Sequence, residues 1–87
     1  MKHAGPAALD TIEEVLQAVR RHDGLRERKR GSFYHRSAGF LHFHEDPAGM
    51  FADLKEGDDF IRYRINSAAE KKRLIAAVAR ALRSDSL

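Results

Sequence analysis

One run decides most of what this chain can become: Gly39-Phe40-Leu41-His42-Phe43-His44-Glu45-Asp46-Pro47-Ala48-Gly49-Met50-Phe51-Ala52-Asp53-Leu54. Its pattern has a period of two and turns at Asp46-Pro47-Ala48-Gly49, so it reads as two antiparallel strands, and His42 and His44 share one face. Lys55-Glu56-Gly57-Asp58-Asp59 supplies a second tight turn with Gly57 and Asp58 at its tip. The strands are expected at about 32–36, 40–45, 50–55 and 59–66, with a fifth if an edge forms at 25–29.

The second turn sets a register that the side chains can be checked against. If Glu56 faces Asp59, then Leu54 faces Ile61, Ala52 faces Tyr63 and Met50 faces Ile65 on one side, which is the core. On the reverse side Lys55 faces Phe60, Asp53 faces Arg62 and Phe51 faces Arg64. The first turn leaves two choices one residue apart. A two-residue loop sends Leu41 and Phe43 to the core and sets His42 against Asp53; a bulge at Gly49 sends Phe40, His42 and His44 inward. Burying a polar group without a partner costs about 1–3 kcal/mol, which favours the two-residue loop. A bulge at Gly39 then sets Phe33 against Phe43, with His35 on the core side.

Helical spacing flanks the strands. Leu9, Ile12, Val15, Leu16 and Val19 predict a helix over residues 7–22, stopped by Gly24. Ser67-Ala68-Ala69-Glu70 is a capping box in sequence, and Leu74, Ile75, Val78 and Leu82 form the stripe of the helix it opens. Only one sheet face is consistently apolar, so both helices must cover it. The expected fold is α+β, a two-layer antiparallel meander of 4–5 strands with N- and C-terminal helices on one face, in the order α-β(4–5)-α. Residues 1–87 make one domain, with flexible ends expected at 1–6 and 84–87.

The face left over would carry Tyr34, Arg36, Phe40, Phe51, Phe60, Arg62 and Arg64 around His42, His44 and Asp53. A contiguous apolar and cationic surface on a small chain points to a partner. The alternative is that Phe40 and Phe60 lie beneath a loop or the N-terminal tail. His42 and His44 with Asp53 form a candidate site for a divalent transition metal, since neutral imidazoles two apart on a strand project together. A cross-strand His42–Asp53 hydrogen bond is the plainer reading of the same residues.

The stretch GSFYHRSAGFLHFHEDPAGMFADLK with FIRYRINSAAEKKRLI resembles a family of small bacterial proteins that carry an HFHED-type strand and turn and end in a helix. The resemblance covers about residues 12–83, and HFHEDPAG is its most specific part. It implies no assigned activity. A looser similarity to YjbR-type domains, in element order and strand pattern, informs the fold alone.

Composition removes several function classes. The chain has no Cys, so disulfides, thiolate zinc sites and a cysteine nucleophile are excluded. No apolar h-region or membrane-length apolar run is present, and a cytoplasmic address is expected. The net charge of +3 is concentrated at Arg20, Arg21, Arg26, Arg28, Lys29, Arg30 and Arg36; a solvated surface is its leading reading. Ser32, Ser37 and Ser67 read as turn and cap residues, with no nucleophile elbow and no phosphate-cradling glycine loop. The leading function is therefore a non-catalytic interaction or dimerisation module that binds a protein partner or a second copy through the open sheet face. Metal or ligand binding at His42, His44 and Asp53 comes second. Single-stranded nucleic acid bound by stacking comes third, and a membrane is not among the partners.

Overall fold

The computed structural model describes residues 1–85. The elements run β1 (Lys2–His3), α1 (Pro6–Asp10), α2 (Glu13–Arg20), β2 (Leu25–Lys29), β3 (Ser32–His35), β4 (Ala38–Asp46), β5 (Gly49–Glu56), β6 (Asp59–Arg64) and α3 (Ala68–Asp85). The strands form one six-stranded antiparallel sheet in the order β2-β3-β4-β5-β6, with β1 paired to β4. The fold is α+β, with all three helices on one side of the sheet, because their buried residues and those of the strands make a single core cluster.

Both turns that frame β5 have the expected register. Asp46 pairs with Gly49, His42 with Asp53 and Leu41 with Leu54; Glu56 pairs with Asp59, Asp53 with Arg62 and Phe51 with Arg64. The two-residue loop wins at Asp46–Gly49 because it sends Leu41 and Phe43 into the core, where both are buried. Gly49 supplies a φ of +128°, and Gly57, at +67°, fills the first central position of the next turn.

The β3–β4 hairpin departs from expectation. Phe33 pairs with Leu41, not Phe43, and Tyr34 pairs with Gly39, so the extra residue that bulges is Phe40. The two-residue turn before it is Arg36-Ser37, with φ of 52° and 68° at the two positions. A bulged residue changes its aim, and Phe40 consequently joins Leu41 on the core side, 3% exposed. Phe40 is therefore removed from the open face.

Four further differences have local causes. The predicted helix over 7–22 is broken at Thr11-Ile12, where the amides of Thr11 and Ile12 bond three residues back to Ala8 and Leu9, and the Thr11 hydroxyl also donates to Ala8 O at 2.6 Å. The stripe survives the break, since Leu9, Ile12, Val15, Leu16 and Val19 are all buried. Ile61 points to the core side but is 43% exposed, because β6 is the border strand. Residues 1–6, expected as a flexible tail, instead supply β1 and the start of α1. At the other end Ser84 and Asp85 belong to α3, while residues 86 and 87 of the expected flexible end lie outside the described residues.

The capping box at the start of α3 is formed as its sequence implied. Glu70 N donates to Ser67 Oγ at 3.1 Å, and Ser67 N donates back to Glu70 Oε1 at 3.0 Å. Leu74 and Val78 bury their side chains in the core, and Ile75 and Leu82 pack at its edge.

Candidate functional site

The side of the sheet away from the helices is built by alternation. β4 contributes His42 and His44, β5 contributes Phe51, Asp53 and Lys55, β6 contributes Phe60, Arg62 and Arg64, and β3 contributes Tyr34. Of the expected binding residues, Tyr34, Phe51, Phe60, Arg62 and Arg64 stand together here. Arg36 does not. It sits in the β3–β4 turn and lines a cavity of about 410 Å³ with Lys55 and Arg80 at the end of the sheet.

Asp53 is the electrostatic centre of this face. Arg62 donates its Nε and Nη2 to the two carboxylate oxygens at 2.8 and 2.9 Å, a fork that fits one cation to one anion. The guanidinium holds the Asp53 pKa below the usual carboxylate value, against the opposing effect of burial. The nearer imidazole is diagonal and not directly opposite: His44 Nδ1 lies 3.4 Å from Asp53 Oδ2 and has no hydrogen-bond partner of its own. His42, directly across from Asp53 in the register, keeps other company. Its ring is 5.9 Å from that of Tyr34 and 6.1 Å from that of Phe60. Gly39 makes room for it, since a Cβ there would meet His42 Nε2 at 3.1 Å.

A third imidazole arrives on β1. His3 pairs with His44, and their rings are 4.8 Å apart, with His42 at 6.5 Å. Sequence reasoning missed His3 because a two-residue strand has no period to read. Around it, Ala4 N donates to Phe43 O at 3.0 Å, Gly5 N donates to Glu45 Oε2 at 2.8 Å, and the terminal ammonium lies 3.5 Å from Asp46. Burial lowers the pKa of His42, helped by the nearby His3 and His44 and opposed by Asp53. Burial also lowers that of His44, where Asp53 opposes it and His3, Arg62 and the terminal ammonium reinforce it.

Both oxygens of Asp53 accept from Arg62, so the residue expected as a third metal ligand is already engaged by a cation. Among the described residues no group of three or more His, Cys, Asp or Glu is placed to hold a metal ion. His42, His44 and Asp53 meet, but as an arginine-clamped carboxylate beside neutral rings. What the face offers chemically is contact: aromatic edges and faces, a guanidinium fork and imidazole rings. Phe60, 49% exposed, is its most open large apolar group.

The fold and this face define a two-layer α+β domain whose sheet is bare on one side. Comparison with protein-family models, with curated proteins and with solved structures finds no match in any of the three. No helix among the described residues is long and apolar enough to cross a membrane.

Proposed function

We propose that this chain is a non-catalytic interaction module that associates, in the first instance with a second copy of itself, through the bare side of its sheet and the β6 border beside it. The observation that carries this reading is the exposure of Phe60 next to Arg62 and Arg64 on a side that no helix covers. Solvent contact at a large ring flanked by guanidinium groups is the composition of a contact surface, in which aromatic residues and Arg are enriched. The reading treats Asp53 as a structural clamp, because its oxygens are occupied by Arg62 and the carboxylate is not offered to a substrate. A cytoplasmic setting suits a chain without Cys.

Sedimentation velocity over a concentration series tests it. The wild-type chain is expected to sediment faster as concentration rises from the micromolar to the millimolar range, and Phe60→Asp to abolish the change while leaving the circular dichroism spectrum intact. A wild-type chain that sediments as a monomer throughout contradicts the proposal.

A further inference from the structure

The two borders of the sheet are finished differently. β2 is Leu25-Arg26-Glu27-Arg28-Lys29, and its pairing with β3 shifts register between Glu27 and Lys29. Charge and irregularity of this kind keep an edge from recruiting another strand. β6 has neither safeguard in full. It pairs with β5 without a shift from Asp59 to Arg64, and it exposes Phe60 at 49% and Ile61 at 43%, one on each face.

The register also says which backbone groups of β6 are unused. Asp59 and Glu56 flank the two-residue turn, and Ile65 N donates to Met50 O at 3.1 Å. In an antiparallel ladder the residues that bond to the neighbour alternate with those that bond outward. Asp59, Ile61, Tyr63 and Ile65 therefore bond to β5, and the N–H and C=O groups of Phe60, Arg62 and Arg64 face the open side.

We propose that β6 pairs antiparallel with β6 of a second copy about a two-fold axis through Ile61, joining the two sheets into one. This rests on the self-association reading above and specifies its geometry. An axis perpendicular to the sheet keeps both helical layers on one side, so only registers that pair like faces are allowed. Centred on Ile61, the pairing sets Ile61 against its own copy and Phe60 against Arg62 of the partner subunit, and it brings Asp58, the turn residue just before β6, alongside Arg64 of the partner subunit. The apolar group meets an apolar group, the acid meets a base, and the Phe60 ring meets a guanidinium.

The neighbouring registers lack this fit. Centred on Arg62, two guanidinium groups would stand directly opposite, which like charges disfavour. Centred on Phe60, Asp59 would face Ile61 and the overlap would shorten. The self-complementary charge order is the reason a second copy, and not a strand of unrelated sequence, is the occupant.

Because the chain has no Cys, one introduced thiol reports the geometry. Residues facing each other in a non-hydrogen-bonded antiparallel pair have Cα atoms about 4.5 Å apart, within the reach of a disulfide. With oxidised glutathione as oxidant, Ile61→Cys is expected to form a disulfide-linked dimer, and Phe51→Cys, in the middle of the bare face, is expected to stay unlinked. Linkage of Phe51→Cys without Ile61→Cys would mean that two copies stack face to face; the edge geometry would then fall and the self-association reading would stand. A monomer in sedimentation together with no linkage at either position overturns both. Should Ile61→Cys fail to fold, amide exchange of the wild-type chain decides: the Phe60 and Arg62 amides gain protection as concentration rises, and concentration-independent exchange at both overturns the pairing.

Discussion

At the scale of single residues, Phe40 and Phe60 show how local backbone geometry sorts identical side chains. Both come from strands with apolar and polar neighbours, yet Phe40 is 3% exposed and Phe60 is 49% exposed. The bulge turned one of them inward. Phe40→Ala is expected to cost about 3–5 kcal/mol in urea unfolding, the range for emptying a buried ring, and Phe60→Ala to stay within about 0.5 kcal/mol for the monomer. Gly49 is a second sensitive position. Its φ is +128°, and a Cβ there would lie 2.5 Å from Asn66 Oδ1, the atom that accepts the Met50 amide at 2.7 Å. Gly49→Ala therefore combines strain with a displaced hydrogen bond, and a loss of about 1–3 kcal/mol is expected by thermal melting. Gly57, with nothing within 4 Å of its Cβ position, is the control; Gly57→Ala carries only the left-handed backbone cost of about 1–2 kcal/mol.

Among the elements, β4, with β1 paired beside it in the same sheet, makes stability depend on pH. His42 and His44 have folded-state pKa values below the ordinary 6.5, chiefly through burial. The unfolded chain therefore takes up protons at a pH where the folded chain does not. Their contribution is complete above pH 6.5 and is lost as pH falls from there through the folded values. The melting temperature is expected to drop as the pH falls below 6.5 toward the folded values, and His44→Gln to flatten that slope. A slope unchanged in His44→Gln would assign the effect elsewhere. Asp53, also depressed, contributes fully above pH 3.8 and loses that contribution as the pH falls from there through its folded value. At α3, Ser67→Ala removes the acceptor for Glu70 N and is expected to cost about 1 kcal/mol in urea unfolding.

The same elements explain what the sequence made legible. The registers around β5 could be read because a slip of one residue would have exchanged Leu41 and Phe43 for His42 and His44, and chemistry allows only one of these inside. The bulge could not, because Phe40 and Leu41 are both apolar and either suits the core. Arg36-Ser37 lacks the Gly or Asn that usually announces a turn with two positive φ angles. The break between α1 and α2 keeps the apolar stripe intact, so periodicity alone reads straight through it. At the candidate site, the Asp53–Arg62 pair was legible from register, whereas His3 depends on a strand too short to leave a pattern.

For the molecule as a whole, the consequence is an uneven sheet. One side is sealed by three helices, the other is lined by rings and charges, and one border is guarded while the other is open. Association through the open border would extend the sheet without disturbing the core, since the core residues already complete their contacts within one chain. The most direct measurement of this account is a dilution series followed by amide resonances in solution. The resonances of Phe60, Ile61, Arg62 and Arg64 are expected to shift with concentration while those of Val15, Leu16, Leu74 and Val78 stay fixed. Shifts absent from β6, or confined to the helical side, would contradict it.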